Sequence, residues 1–373
     1  MTSLSSKISF FMPYLGGGGA ETVMLNLARG MAERGIETEL VLGKAWGPHL
    51  WKIPSAVKLI DLKAGNWGHI LWALRQYLQQ ERPIALIAAM HYGNEVAILA
   101  KRLAGVESKV VITEHNTFSQ AIQNTSKARK ILIPLFVKTL YPLADEIVVV
   151  SKMAAQDLAQ SNRLPPDRIT AIYNPVVNAT LLEQAKVEVE HPWFQPGELP
   201  VILGVGKLER QKDFPTLIRA FAQVYQHHPS RLVILGWGAL QAELEAQVNE
   251  LGLGDAVALL GYVENPYAYM ARATTFVLSS AWEGLPTVLI EAMAIGIPVV
   301  STDCPSGPAE ILNHGKYGTL VPVGDSDALA QAIVEVLEGS RREVDPSWLH
   351  QFTLDAATQR YLDLIAAKGL AER

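Results

Sequence analysis

Short β-branched runs alternate with amphipathic stretches of helical length along almost the whole chain, and the alternation restarts once. In the first half the runs are KISFFM, TELVLG, VKLIDL, IALIAAM, KVVITEH, EIVVVS and ITAIYN, with helix-patterned segments such as AETVMLNLARGMAERG and HILWALRQYLQQ between several of them. In the second half they are VILGVGKL, RLVILGWG, AVALLGYV, TFVLSS, PVVSTD and GTLVPV. Strands of nearly unbroken Val, Ile and Leu belong to parallel sheets covered on both faces. Parallel neighbours need crossover connections, and these are right-handed. The expected fold class is α/β, two doubly wound parallel-sheet domains facing a cleft.

The stretch LLEQAKVEVEHPWFQPGELP loses the pattern and gains Pro and Gly. It reads as a linker over 181–200, between an N-terminal domain at 1–180 and a C-terminal domain at 201–355. The closing stretch TLDAATQRYLDLIAAKGL has helical periodicity, so 356–373 reads as a helix able to pack back across the domain junction. A length of 373 residues suits two such domains better than one core.

With 49% hydrophobic and 18% charged residues the chain is globular and not disordered. Its one cysteine, Cys304, rules out an internal disulfide, points to a reducing compartment and lacks the spacing of a metal site. No apolar run approaches the ~18–20 residues of a membrane span. The N-terminal run is broken by Pro13 and ends in glycines, so it reads as a first strand and not a signal peptide. The expected location is cytoplasmic, which leaves the sequons at Asn124 and Asn178 without weight. Residues 1–180 hold 19 Lys and Arg against 13 Asp and Glu, whereas 181–373 hold 13 against 24. A basic first half suits phosphates or an anionic membrane surface; drift between two domains explains the asymmetry equally well.

In open α/β sheets ligands sit beyond the carboxyl ends of the strands, so strand-to-helix loops carry the chemistry. YLGGGGAET follows the first strand and opens a helix, where Gly18 and Gly19 let a ligand approach the backbone. It is neither a dinucleotide fingerprint, since Glu21 stands where the third glycine belongs, nor a P-loop. GVGKLERQKDF places Gly206, Lys207, Arg210 and Lys212 after the first strand of the second half, a set that suits a diphosphate or, failing that, a solvated loop. LGWGAL, with Gly238, is a tight turn, and GYVEN, with Tyr262 and Val263, is a loop able to read the edge of a base.

The most informative stretch is WEGLPTVLIEAMAIGIPVV, apolar enough for a buried helix and strand yet carrying Glu283 and Glu291. Buried carboxylates cost several kcal/mol unless something pairs with them. Pro286 suits a first helical turn, which places Glu291 about one and a half turns inside, roughly 7–8 Å along the axis. That distance fits two contacts to one elongated ligand. A carboxylate accepting two ribose hydroxyls would satisfy its lone pairs, while the amides of Gly284, Leu285 and, next to Pro286, Thr287 could hold sugar hydroxyls or phosphate.

EGLPTVLIEAMAIGIPVV resembles the E-x7-E motif of glycosyltransferase family 4, retaining enzymes of the two-domain GT-B fold with Rossmann-like halves. GGGGAE, EHNTF, VSKMAAQDL, YNPV, GVGKLERQKD and GWG follow in the family's order, so the resemblance spans essentially the whole chain. It implies that Glu291 holds the ribose of a nucleotide-sugar and that Glu283 lies beside the donor sugar's hydroxyls. Lys207 and Lys212 would bind the diphosphate and stabilise the leaving group, Lys207 standing where the family usually has arginine. Gly18 and Gly19 would lie against the diphosphate or donor sugar. His115 matches a histidine placed near the anomeric carbon; on sequence alone a strand-end histidine is more often structural.

The implied mechanism needs no enzyme nucleophile, no cofactor and no metal: the leaving diphosphate takes the proton of the incoming hydroxyl on the same face, with retention. Asp325-Ser-Asp327 mimics a metal-binding motif of another fold, but helix capping explains it. CPSGPAEIL resembles the variant of bacterial enzymes that build surface polysaccharides and lipid-linked oligosaccharides, which favours a UDP-hexose or UDP-N-acetylhexosamine over GDP-mannose. The acceptor would be a glycan or a polyprenyl-linked sugar, with no nucleic acid involved. SKARKILIPLFVKTLYPL surrounds an apolar run with Lys127, Arg129, Lys130 and Lys138, which fits either a helix lying on a membrane or a core helix with charged flanks. The rival readings are a UDP-N-acetylglucosamine 2-epimerase, which lacks this glutamate spacing, and a two-domain sugar-binding protein, which would need an export signal.

Overall fold

The computed structural model describes residues 7–16, 18–123 and 125–367. Gly17 of the glycine turn, Asn124 and the last six residues of the expected C-terminal helix lie outside them. All thirteen expected strands are present: β1 Ile8–Met12, β2 Thr38–Leu42, β3 Lys58–Asp61, β4 Ala85–Ala89, β5 Lys109–Glu114, β6 Glu146–Val149, β7 Ile169–Ala171, β8 Val201–Val205, β9 Arg231–Leu235, β10 Val257–Gly261, β11 Thr275–Leu278, β12 Val299–Thr302 and β13 Thr319–Val321. The chain divides into two compact units, one of residues 1–175 with 351–373 and one of 176–350.

The first unit holds a seven-stranded sheet in the order β3-β2-β1-β4-β5-β6-β7, every pair parallel. Both faces are covered, as the unbroken apolar runs require. Ile8, Phe10 and Met12 of β1 face a cluster with Leu27 and Met31 of the helix Gly19–Glu33, whereas Phe11 points the other way, towards Leu74 and Val96. The second unit holds a six-stranded parallel sheet, β10-β9-β8-β11-β12-β13, with Ile202, Ile234 and Val277 packed under the helices Phe214–His227 and Ser326–Leu337.

The C-terminal helix Leu354–Ala367 belongs to the first unit and lies on the helix Gly19–Glu33. Gly30 permits the contact, because a Cβ there would sit 2.4 Å from Thr358 Oγ1. The first unit closes at Pro175, not at 180, and the stretch expected as a linker is folded onto the second unit. There the helix Ala179–Ala185 packs on the helix Pro266–Met270, and Phe194 meets Tyr269 edge-on with ring centroids 5.1 Å apart. This stretch has no long period because it is one short helix and a proline-led turn, yet it buries Leu181, Val189 and Phe194.

Candidate active site

The strand order of the second unit reverses between β8 and β11, and the loops leaving these two neighbours carry the residues in question. Such a switch point is where doubly wound sheets bind ligands. The Ala281 amide donates to the Gln211 carbonyl, and the Gln211 side chain donates to the Trp282 carbonyl at 3.1 Å. Across this seam Lys212 Nζ lies 2.6 Å from Glu283 Oε1, which also accepts from the Ser280 hydroxyl at 2.6 Å. Glu283 is buried, so it answers the desolvation problem by pairing inside the protein. Gly206 makes room for the pair, since a Cβ there would stand 2.9 Å from Lys212 Cε. Lys207 and Arg210, on the same loop, are exposed.

Glu291 behaves differently. The helix begins at Thr287 with Pro286 as its N-cap, so Glu291 is four residues in, about one turn and ~6 Å rather than one and a half turns. Gly284, Leu285 and Pro286 are buried, and Thr287 is half-buried. Leu289, Ile290, Ala292 and Met293 face the core, and the half-buried Glu291 has no hydrogen bond or salt bridge among the described residues. Burial pushes its carboxyl up to about 7, with Lys212 pulling the other way. Tyr267 of the packed helix Pro266–Met270 is raised by burial and by the Glu291 charge. Gly238 is a packing glycine, for a Cβ there would stand 2.4 Å from the Leu208 carbonyl oxygen. Tyr262, after β10, is 70% exposed, and Val263 beside it is half-buried. Asp325 accepts from the amides of Asp327 and Ala328 and caps its helix, as expected.

In the first unit the reversal lies between β1 and β4. Gly18 caps the helix Gly19–Glu33, and the buried Glu21 folds back over the turn to accept from the Gly16 amide at 3.1 Å. A Cβ on Gly18 would lie 2.7 Å from Glu21 Oε2, whereas Gly19 faces open space. The turn therefore already carries an acid. A cavity of about 860 Å³ opens beside it, within the range of small-ligand sites. Its wall includes Tyr14, Lys44, His91, Tyr92, Glu95 and Arg129. A second cavity, about 980 Å³, lies at the opposite strand ends by Ile84 and Lys109 and so does not match the carboxyl-end rule.

His115 does not line the first cavity. Its Nε2 is 3.1 Å from the Thr113 hydroxyl, its Nδ1 is buried without a partner among the described residues, and burial lowers its pKa to about 4. His91, which sequence reasoning passed over, does line it as first residue of the helix His91–Ala104. The preceding Met90 adopts φ 72°, a strained conformation for a non-glycine residue of the kind that gathers at functional sites. The available signal was the position of His91 just after the strand IALIAA, the neighbour of β1.

Residues 17–178 match the family model Glycosyltransferase Family 4, and residues 188–347 match Glycosyl transferases group 1. The chain is 31% identical over 348 residues, 90% of its length and 91% of the relative's, to the N-acetylgalactosamine-N,N'-diacetylbacillosaminyl-diphospho-undecaprenol 4-alpha-N-acetylgalactosaminyltransferase of Campylobacter jejuni. Its fold is that of the lipopolysaccharide outer core galactosyltransferase WaaB (TM-score 0.76, 22% identity, 97% of this chain and 99% of that one). It is likewise that of Anabaena HepE in complex with UDP (TM-score 0.79, 20% identity, 97% and 100%). The chain therefore belongs to the family 4 glycosyltransferases and has their GT-B fold.

Proposed function

We propose that the protein transfers a hexose or N-acetylhexosamine, with retention and without metal, from a UDP-sugar to a lipid-linked or glycan acceptor in surface-polysaccharide assembly. The observation that carries this reading is the pairing at the β8/β11 switch point: one carboxylate already satisfied by a lysine, the other unpartnered one turn into the adjoining helix. Glu291 is the ribose acceptor, and Lys212 with Lys207 meets the diphosphate charge. The anomeric carbon–oxygen bond to the diphosphate breaks as the acceptor oxygen bonds to the same face. The acceptor's proton leaves on the diphosphate. Lysine charges neutralise that leaving group, and their effect is largest where water is excluded. The lipid-linked acceptor is supported by the Campylobacter jejuni relative, whose name specifies a diphospho-undecaprenol substrate. The test is a panel of UDP-, GDP- and ADP-sugars in EDTA, with an undecaprenyl-diphosphate-linked N-acetylhexosamine as acceptor and NMR of the product's anomeric coupling. We expect one UDP-sugar to be transferred with α-anomeric retention; an inverted product, or transfer only on adding a divalent metal, would overturn the reading.

The helix Lys127–Leu140 supports a place at the membrane surface. Of its described side chains only Val137 is buried, while Ile131, Leu132, Leu135 and Phe136 are 73%, 49%, 54% and 43% exposed. At 100° per residue these four form one stripe, bordered by Lys127 and Lys138 on one side and Arg129 on the other. An exposed apolar stripe with basic borders is the pattern of an interfacial helix. No helix among the described residues is long and apolar enough to cross a membrane. We expect co-sedimentation with phosphatidylglycerol-containing vesicles at low salt, reduced more than about tenfold by Ile131→Glu with Leu135→Glu. Equal sedimentation of the variant would remove the helix from the contact.

A further inference from the structure

The cavity of the first unit has an unusual wall. Most of it is apolar, yet Lys44 and Arg129 reach it, and His91 in the same wall touches a buried polar cluster. Behind His91, the Tyr141 hydroxyl donates to the Glu114 carboxylate. Asn94, fully buried, donates to Glu114 Oε1 at 3.1 Å and to the Thr113 carbonyl at 2.9 Å.

The hydrogen bonds and carboxylates around His91 bear on the state of its imidazole. Tyr141 has one hydroxyl hydrogen, and it is committed to Glu114. The contact between that hydroxyl and His91 Nδ1, 3.1 Å, therefore needs the hydrogen on Nδ1. On the other edge Nε2 lies 3.1 Å from the carboxylate of Glu95, an ion-pair distance without an aligned hydrogen bond among the described residues. With Glu114 Oε1 also 3.8 Å from Nδ1, carboxylates stand at both edges of the ring and favour its cation. Although burial acts against the charge, Glu114 and Glu95 outweigh it and raise the His91 pKa to about 9.

We propose that Glu114, held by Tyr141 and Asn94, is a positioning residue that keeps His91 cationic as the counter-charge of Glu95 in the wall of the acceptor cavity, so that Lys44 and Arg129 meet the phosphate of an anionic prenyl-linked acceptor unopposed. The proposal rests on the reading of the protein as a transferase with a lipid-linked acceptor. The groups facing His91 are Glu95 on its own helix, Glu114 on β5 and Tyr141 on the short turn Tyr141–Leu143. Across the cavity stand Tyr14, Lys44 and Arg129. Among the described residues Glu95 is the only carboxylate in that wall, and the His91 cation offsets it. The remaining charge is positive, on Lys44 and Arg129, in apolar surroundings where it acts strongly. An anion joined to a hydrocarbon matches both properties.

The test uses the full chain and farnesyl diphosphate as probe, by calorimetry at pH 6 and pH 8, on the wild type, Glu114→Gln and Tyr141→Phe. The glutamine keeps the shape and an acceptor for Tyr141 but removes the charge. In the wild type His91 is cationic at both pH values, so affinity follows only the probe's own last ionisation. In Glu114→Gln the imidazole titrates nearer its ordinary range, and affinity relative to the wild type falls by about tenfold between pH 6 and pH 8. Imidazole NMR, with His91→Gln to assign the signal, reads the same shift directly and serves for Tyr141→Phe. An absence of wild-type binding, an equal loss at both pH values, or an unmoved His91 titration would each overturn the proposal. UDP binding on the same samples reads the donor site separately from the cavity. A wild type that binds farnesyl diphosphate but not UDP therefore counts against the transferase reading and not against the cavity.

Discussion

Lys212→Ala is expected to lower kcat by about three orders of magnitude and to destabilise the second unit as well, and these two effects are separable. Removing one partner of a buried ion pair leaves the other charge without compensation, at a cost of about 3–5 kcal/mol. Glu283 is that partner: 6% exposed, bonded to Lys212 at 2.6 Å and supported by Ser280 and Gln211. Loss of a charge aimed at a leaving group costs about 10²–10³ in kcat by itself. The double substitution Lys212→Met with Glu283→Leu removes both charges together, so most of the stability returns. The catalytic loss does not. Thermal unfolding and single-turnover rates on the two variants make the comparison. Recovery of rate along with stability would mean that Lys212 acts only as the counter-ion of Glu283.

The strand pattern was legible because each strand is a local run. Parallel strands covered on both faces need no partner information to be recognised, and even the edge strand β3, with Lys58, Leu59 and Asp61 exposed, kept enough of the pattern. Pairings across the chain were not. Lys212 and Glu283 are 71 residues apart and meet because β8 and β11 are neighbours, a fact of strand order and not of either loop. Glu114 and Tyr141 are 27 apart, and their contact on His91 depends on where the turn Tyr141–Leu143 docks. The sequence separates the two glutamates of E-x7-E by spacing alone, and only packing reveals that one is paired and the other is not. In the same way, the glycine turn suggests an open anion cradle, whereas Glu21 two residues into the helix folds over it. The supposed linker failed for the opposite reason: its short elements are too small to show a period, though they bury three apolar side chains.

Binding of the donor nucleotide should release a proton, and Glu291 should be its source. With a pKa raised from 4.5 to about 7 by burial, Glu291 is close to half protonated in the free protein at neutral pH. A carboxylate receiving two ribose hydroxyls has to be ionised, so occupancy pulls the remaining proton off. Calorimetry near pH 7, in two buffers of different ionisation enthalpy, should then show up to about half a proton released per UDP-sugar bound. Affinity should rise with pH up to about 7 and level off above it. The free protein moves the opposite way. A raised carboxyl pKa means the folded state holds the proton more tightly than the unfolded chain, so this group's contribution to stability falls between about pH 4.5 and 7. The stabilisation given by UDP-sugar therefore grows through the same window in which the free protein loses stability. Glu291→Ala should weaken binding by about 10²–10⁴-fold, the equivalent of two charge-assisted hydrogen bonds of about 1.5–3 kcal/mol each. Glu291→Gln, which keeps the shape without a titrating group, should abolish the proton release and flatten the pH dependence. If both variants bind as the wild type does, the ribose lies elsewhere and the unpaired carboxylate of the switch point serves another ligand.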